Sequence, residues 1–355
     1  MIVRNYSPFP SIQFSSRDVK KADFGVSVAR GTFRILHGMP VRPIPEQAPL
    51  AMADEYYSEP AKSSLRLENS IAPLKPRTDI HVTATAHAPN GNPSTHWPVS
   101  VSVGDLKKEL YVTGPRYWGG KNNGNKVTTT EPISNLPLRY EHAFGGTIKK
   151  GENLVFHKEN PIGVGFVDSV VSDPDQPVAI PQIISEADLN PKYGQTISVE
   201  GFGPIPGGWA PRTHKAGTFD VVWQKTRWPE LPEDFSFDFY NSAHPDLIYP
   251  GYLVGNESIE VDGLSPVGRQ EFSLPGFELA LLVRFEDGVI APHPMNLDTL
   301  HIDMEKQLVY LTWRGIFSLA RAVRVLEIRL DVPDWAKASQ GTDGNTMPML
   351  GPSHG

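Results

Sequence analysis

The chain has 355 residues and a formal charge of −7, which allow one large domain or two ordinary ones but lack the basic excess typical of nucleic-acid-binding proteins. It has no cysteine, so disulfides, thiolate metal sites and cysteine nucleophiles are excluded. No apolar run approaches the roughly 18 residues of a membrane helix, and residues 1–14 lack the apolar core of a signal peptide, so we expect a cytoplasmic protein that binds neither membrane nor nucleic acid.

Alternating apolar residues predict β-strands in the first third of the chain. Residues 24–35 (FGVSVARGTFRI) and 79–88 (DIHVTATAHA) place apolar side chains at every second position, which is the period of a strand with one buried face. Residues 98–114 (PVSVSVGDLKKELYVTG) predict two strands joined by a turn at Gly104 and Asp105.

The middle of the chain, residues 131–250, is rich in proline, glycine and aromatic residues. A disordered linker would lack the rings, so this segment predicts long ordered loops packed by their own aromatic side chains. Before it, residues 119–126 (GGKNNGNK) predict a mobile loop. After it, residues 277–285, 299–315 and 321–332 are short, rich in β-branched residues and separated by turn residues, which predicts further strands.

These patterns predict the fold class and the domain organisation. The 34 prolines and 31 glycines leave few stretches in which a long helix could form. We expect a mainly β protein with antiparallel sheets, sandwich or barrel-like, with long ordered loops and little helix. Residues 1–335 are expected to form one large domain, with possible subdivisions near residues 130 and 250, and residues 336–355 a disordered tail.

Several segments resemble catalytic or metal-binding signatures but lack a residue or a spacing that the signature requires. The GGKNNGNK segment resembles a phosphate-binding loop, but Asn125 stands where the lysine should be. His81 and His87 share a strand face but lie about 20 Å apart on it, too far for one metal ion. His301 and Asp303 lie close together on their strand face, although no third ligand is evident. We therefore expect no cofactor and no metal.

Residues 136–146 (LPLRYEHAFGG) combine charged, aromatic and glycine residues. In an extended strand Arg139 and Glu141 would point to the same side, where a guanidinium can bind a carboxylate with two hydrogen bonds. The two glycines that follow allow positive φ angles. A structural polar cluster is favoured over a catalytic site. The residues singled out here are Arg139, Tyr140, Glu141, His142, Phe144, Gly145 and Gly146.

A carbohydrate-directed hydrolase is the alternative to a non-enzymatic protein. Glu141, Asp234 and Asp238 lie near aromatic residues in the sequence, and glycosidases need two carboxyl groups at a set separation. The sequence gives no such separation, and acidic residues beside aromatic ones are common.

The order of several motifs resembles one bacterial family. LPLRYEHAFGG is followed by ENPIGVGF, GFGPIPGGWAPR, the segment AGTFDVVWQKTRWPELPEDFSFDFYNSAHPDL, GNESIEVDGLSP and FSLPG, and the match runs from about residue 1 to about residue 330. The chain is therefore identified as a member of the domain of unknown function 2169 family. His142 is a departure, because the family often has arginine there, which puts in doubt any role that needs a permanent positive charge.

The resemblance implies a function. Family members are found in type VI secretion gene clusters and are regarded as adaptors or chaperones that load a secreted effector onto the spike. It implies as partners an effector and a PAAR-like or VgrG-like spike protein, and it assigns no catalytic residues. A structural component of the secretion particle is a further alternative.

An adaptor needs aromatic and arginine anchors, because these residues supply most of the binding energy of protein interfaces. Large rings also prefer the interior, so about half of the candidates are expected to be core residues instead. The candidates are Trp209, Arg212, Trp223, Arg227, Trp228, Phe235, Phe237 and Tyr240.

Overall fold

The computed structural model describes residues 1–120, 124–168, 172–173 and 175–330. Within them the fold is mainly β with antiparallel-rich sheets, which confirms the predicted fold class. The predicted tail, residues 336–355, lies outside the described residues, as do residues 121–123 of the predicted mobile loop.

The strands, numbered in chain order, are β1 (Ile2–Asn5), β2 (Ser11–Arg17), β3 (Asp23–Arg34), β4 (Arg42–Pro43), β5 (Glu55–Tyr56), β6 (Leu65–Leu67), β7 (Asp79–Thr83), β8 (Thr85–His87), β9 (His96–Val103), β10 (Leu106–Thr113), β11 (Tyr117–Trp118), β12 (Asn135–Pro137), β13 (Phe144–Gly145), β14 (Thr147–Lys150), β15 (Asn153–Phe156), β16 (Val164–Gly165), β17 (Val178–Ala179), β18 (Ile183–Ile184), β19 (Ser258–Asp262), β20 (Gln270–Ser273), β21 (Leu279–Phe285), β22 (Ile290–Asp303), β23 (Leu308–Ser318) and β24 (Val323–Arg329).

Among the described residues, α-helix is limited to the short segments α1 (Ala210–Thr213) and α2 (Val221–Thr226). Single 3-10 turns are formed by Pro89–Gly91, Tyr140–His142, Glu186–Asp188, Phe237–Tyr240 and Pro245–Leu247. No helix in the described part of the chain is long and apolar enough to cross a membrane.

The larger sheet has nine strands and is curled into a half-barrel. Its strands follow the order β1-β24-β21-β22-β23-β3-β2, with β4 paired to β3 and β7 paired to β22. Two of its pairings are parallel, β1 with β24 and β7 with β22. The two ends of this order, β1 and β2, are consecutive in the chain and are joined by residues 6–10 alone. A connection that short requires the two ends of the sheet to approach each other, which explains the curl.

The smaller sheet has the order β18-β10-β9-β19-β20 and is antiparallel throughout. Its central hairpin, β9 and β10, turns at Gly104 and Asp105 as predicted. Alternate residues of β9, such as Val101 and Val103, are fully buried in one apolar core with Leu281 and Leu300 of the larger sheet. The core therefore lies between the two sheets.

A second, smaller apolar cluster involves the same long strand β3. Phe24, Val26 and Val28 belong to this cluster, whereas Ala29 and Phe33, of the opposite parity, belong to the main core. Since successive side chains of a strand point to opposite faces, β3 carries apolar residues on both faces. Rings of the middle segment cover the second cluster, as predicted for ordered aromatic-rich loops.

Candidate functional site

The segment 136–146 does not form the extended strand expected from its sequence. Tyr140–His142 is a 3-10 turn, so the alternation that would place Arg139 and Glu141 on one side is lost. The carboxylate of Glu141 instead accepts hydrogen bonds from the N–H (2.9 Å) and the hydroxyl group of Ser64. The guanidinium of Arg139 lies over the ring of Tyr57, 3.8 Å from its centroid. The expected pair between Arg139 and Glu141 was therefore wrong.

The aromatic residues of this segment are buried. The Tyr140 hydroxyl donates to the carbonyl oxygen of Gly203 (3.0 Å), and its ring meets the ring of Trp209 edge to face at 5.4 Å. Phe144 packs in a small apolar cluster with Ile184 and Ile197. The segment thus joins several loops of the middle of the chain to one another.

Gly145 and Gly146 have φ angles of 144° and 124°, which confirms the expected positive φ. A Cβ on Gly145 would lie 2.1 Å from the carbonyl oxygen of Asn160, so a side chain is also sterically excluded there. The Asn160 amide donates to the carbonyl oxygens of Tyr140 (2.8 Å) and Phe144 (2.9 Å). His142 is half-buried, and this burial lowers its pKa, which favours the neutral ring.

A buried network of four charged side chains lies beneath the middle segment. Lys75 Nζ contacts Glu68 Oε2 at 2.6 Å and Asp79 Oδ2 at 2.7 Å, and Arg212 Nη1 contacts Glu68 Oε1 at 3.0 Å. All four side chains are almost inaccessible to solvent. The two positive and two negative charges balance, which is the condition under which ionised groups can be buried at all.

Backbone groups of the middle segment complete the coordination of Asp79. Its Oδ2 accepts from the N–H of Ser242 (2.9 Å), and its Oδ1 accepts from the side chain of Asn241 (3.0 Å) and the N–H of Ala243 (3.2 Å). The Ser242 hydroxyl donates to Glu68 Oε2 at 2.7 Å. We call these groups, together with the four charged side chains, the charge network. It fastens residues 241–243 to the start of β7.

The charges of the network set the pKa values of its members. Burial alone raises the pKa of Glu68 and Asp79 and lowers that of Lys75. The opposite charges outweigh burial, so both carboxyl groups have a pKa below the ordinary value and the Lys75 ammonium has one above it. Glu68, Asp79 and Lys75 are therefore ionised at neutral pH.

Two histidines on neighbouring strands border the network. His81 on β7 and His301 on β22 are direct partners in the parallel register, with ring centroids 6.3 Å apart. Burial lowers the pKa of His81 to about 4 and holds that of His301 well below its ordinary value. Both rings border a cavity of about 20 Å³, which has room for a single water molecule.

A more open groove of about 630 Å³ lies on the smaller sheet. Its two cross-strand carboxylates, Glu260 and Glu271, are both paired with Arg269, at 2.6 and 2.8 Å. The carboxylates weighed for glycosidase chemistry line neither of these two cavities, and each has a separate partner. Asp234 accepts two hydrogen bonds from Thr218, and Asp238 pairs with Arg77 at 2.8 Å.

One group of residues has the geometry of a possible metal site. Glu200, His244 and Asp246 each offer one ligand atom, and these atoms lie within 4.8 Å of one another. The Nζ of Lys108 contacts Glu200 at 2.6 Å and Asp246 at 2.9 Å. The lysine ammonium thus supplies the positive charge for these carboxylates.

An exposed apolar surface is formed by residues 218–234, which we call the apolar loop. Its ends meet because Thr218 donates from its N–H (2.9 Å) and its hydroxyl (2.7 Å) to the carboxylate of Asp234. Four of its large apolar side chains are more than half exposed, which is unusual for one short segment of a folded protein. These residues are Phe219 (56%), Val221 (62%), Val222 (66%) and Trp228 (67%).

Local bonds hold the apolar loop in a defined shape. The carboxylate of Asp220 caps α2 by accepting from the N–H of Trp223 at 2.8 Å, and the Trp223 indole donates to the carbonyl oxygen of Glu230 at 2.8 Å. Arg227 donates to the carbonyl oxygens of Leu231 (2.7 Å) and Val19 (2.5 Å). The exposed side chains are therefore displayed by an ordered loop that is tied to the end of β2.

A family model described as an uncharacterized protein conserved in bacteria (DUF2169) matches residues 20–314 of the chain. The chain belongs to this family. No curated protein and no solved structure matches it. The family match covers the charge network, the segment 136–146 and the apolar loop.

In this DUF2169 chain, the residues expected to anchor a partner differ in their exposure to solvent. Trp209, Arg212 and Phe237 are buried, Trp223, Arg227, Phe235 and Tyr240 are half-buried, and Trp228 is exposed. Arg212 belongs to the charge network. The rings of Phe235, Phe237 and Tyr240 pack on one another with centroids 5.5 to 6.1 Å apart.

Sequence reasoning missed two groups of residues in this DUF2169 chain. Glu68, Lys75 and Asp79 carry charge, and charged residues are mostly exposed, so nothing in the pattern marks them as buried. Val221 and Val222 are adjacent to each other and lie between Phe219 and Trp223 without the alternation of a strand, so the pattern gives no sign that they are exposed.

Replacing Lys75 tests how much the charge network contributes to the free energy of unfolding. We expect Lys75→Met to lower the free energy of unfolding by about 3–5 kcal/mol, because it leaves two buried carboxylates with too little positive charge. Urea denaturation monitored by tryptophan fluorescence measures the loss. Lys107→Met is the matched control, because Lys107 forms an exposed pair with Glu109 and should change stability by about 0.5 kcal/mol or less. Equal losses in the two variants would contradict a buried network.

The buried histidines predict a pH dependence of stability. The pKa of His81 is about 4 in the folded chain against 6.5 ordinarily, so below pH 6.5 the unfolded chain binds a proton that the folded chain does not. Stability should fall as the pH drops from 6.5 towards 4, with about 3 kcal/mol attributable to His81.

His81→Gln should flatten this dependence, and urea midpoints at pH 7, 6 and 5 measure it. His96→Gln, at an exposed position, serves as the control and should leave the dependence unchanged. An unaltered slope in the His81 variant would show that His81 is not kept neutral by the fold.

Proposed function

We propose that this protein is a non-catalytic adaptor or chaperone that binds a type VI secretion effector, or its PAAR-like tip, and helps to load it onto a VgrG-like spike. Membership of the DUF2169 family supports the proposal through the resemblance of its motifs. The observation that carries it is the apolar loop, which displays large apolar side chains on an ordered support.

The composition of the apolar loop is that of a protein-binding surface. Its tryptophan Trp228 is 67% exposed, and tryptophan is among the residues that contribute most to interface energy. Leaving such a surface in water is unfavourable by roughly 25 cal/mol per Å², which a partner recovers on binding. The loop also carries the charged residues Arg227, Glu230 and Glu233, which suit the polar rim of an interface.

The other conspicuous groups support a role in folding instead of in catalysis. Glu141 is bound by Ser64, and the buried carboxylates of the charge network are neutralised by Lys75 and Arg212. The cavity beside this network has a volume of about 20 Å³, which is too small for a sugar.

The test is co-purification of the full-length tagged protein with the products of its neighbouring genes, expressed together. We expect an effector or PAAR-like protein to be retained by the wild type and by Val267→Asp. Val267 is a valine between β19 and β20 that is slightly more exposed than Val222, and it serves as the control. Val222→Asp and Trp228→Ala should reduce retention by at least about tenfold, since each removes an exposed apolar contact without touching the core.

Retention that is equal in all four proteins would show that the apolar loop does not bind the client. Retention of no neighbouring product by the wild type would contradict the adaptor function itself.

A further inference from the structure

The strand β2 is an edge strand of the larger sheet. The hydrogen bonds just before and just after it show which of its residues bond to the neighbouring strand β3. The N–H of Arg30 donates to the carbonyl oxygen of Pro10, and the N–H of Asp18 donates to that of Ala22. In an antiparallel ladder, bonded residues alternate, so the even-numbered residues from 10 to 18 bond towards β3. The N–H and C=O groups of Ser11, Gln13, Ser15 and Arg17 therefore point away from β3.

This outer edge is open. Within the described part of the chain, the outward-pointing main-chain groups of β2 have no hydrogen-bonding partner in the protein. Exposed edges are usually blocked by proline, by charged side chains or by a covering loop. Residues 11–16 (SIQFSS) contain neither proline nor charge, and the charge of the last strand residue, Arg17, is already paired with Asp23 and Glu230. The edge therefore offers a complete row of donors and acceptors to an additional strand.

Side chains of β2 define the chemistry of such a strand. Ile12 and Phe14 are only half-buried where they pack on the second apolar cluster, which includes Val26, Val28 and Phe237. A strand added at this edge places every second side chain on the same face, where apolar residues would extend the cluster. Its other side chains would lie on the face of Ser11, Gln13 and Ser15, where polar residues fit.

Charge at one end of the edge adds a further requirement. Lys20 and Lys21 lie exposed in the turn after β2, and neither forms an ion pair with the described residues. The two acidic residues of this turn are already engaged, Asp18 by the N–H groups of Lys20 and Ala22 and Asp23 by Arg17. An incoming segment with acidic residues at this end would pair with them. The apolar loop is tied to the same end of β2, through Arg17 and Glu230 at 2.6 Å and through Arg227 and Val19.

We infer that the client docks by adding an extended segment to the free edge of β2, with alternating apolar and polar residues and with acidic residues beside Lys20 and Lys21. Main-chain hydrogen bonds supply the affinity, and the second apolar cluster selects the side chains. The inference rests on the proposed adaptor function, because it names the form in which that client binds. The apolar loop then contacts the part of the client that continues from the strand.

A second copy of this chain fits the edge less well than such a client. If β2 of another copy added in parallel, its Lys20 and Lys21 would approach the same lysines of the first copy. If it added antiparallel, residues 5–10 (NYSPFP) would lie near the lysines, and this segment has no acidic residue.

The experiment uses the full-length protein and a fluorescein-labelled peptide, EEVTVTVT, with binding followed by fluorescence anisotropy. The peptide should bind the wild type. Ser15→Pro should weaken binding by at least about tenfold, because proline lacks the outward N–H at the centre of the edge. Ser15→Ala keeps the N–H and should bind within about twofold of the wild type, since the Ser15 side chain is exposed.

Two peptide changes test the inference on the unaltered protein. A version of EEVTVTVT with alternate amides N-methylated should lose binding, and KKVTVTVT should bind at least about threefold more weakly because its lysines face Lys20 and Lys21. Absence of peptide binding up to about 1 mM, or equal binding by Ser15→Pro and the wild type, would overturn the inference. Dimerisation of the wild type that Ser15→Pro abolishes would assign the edge to a second copy and overturn it as well.

The outcomes for the edge and for the function are separable. A co-purifying effector that Ser15→Pro still retains would refute strand addition and leave the adaptor function standing. Peptide binding without any retained neighbouring product would leave an open edge but refute the adaptor function.

Discussion

The buried contact between Lys75 and the two carboxylates Glu68 and Asp79 fixes the middle segment to the larger sheet. Burying charges is costly, and a buried ion pair need not be more stable than a well-packed apolar group. Here the ion pairs mainly determine how segments pack. An unpaired buried charge is very unfavourable, so the segments that carry these charges are stable only in the arrangement that pairs them. Asp79 opens β7, and the network joins it to Arg212 and to residues 241–243. A loop-rich segment is thereby fixed to the sheet at two positions.

These two positions frame the apolar loop. Arg212 lies just before residues 218–234, and the anchored residues 241–243 lie just after them. The chain is therefore held in place on both sides of the apolar loop. A loop held in this way can display Val222 and Trp228 without folding them onto the core. The rings of Phe235 and Phe237 lie in the chain between the apolar loop and residues 241–243, and they cover β3 beside the open edge of β2. One buried interaction thus supports both surfaces that we assign to a client.

The sequence was informative where burial follows a simple period. The alternation in residues 24–35 and the two strand-like stretches on either side of Gly104 predicted β3, β9 and β10 correctly. It failed where a local turn changed the period, since the 3-10 turn Tyr140–His142 separates two side chains that a strand would align. The pattern did not predict that Lys75 and Asp79 are buried, because their burial depends on groups that are far away in the chain. The parallel pairing of β7 with β22, which brings His81 to His301, likewise leaves no periodic trace.

Amide hydrogen exchange followed by mass spectrometry tests whether the middle segment is anchored as firmly as the sheet. Peptides covering residues 237–247 should exchange as slowly as those of β22 and β23, while residues 218–230 should exchange faster because their support is local. Exchange of residues 237–247 within seconds, at the rate of an unprotected loop, would show that the charge network does not fix this segment to the sheet.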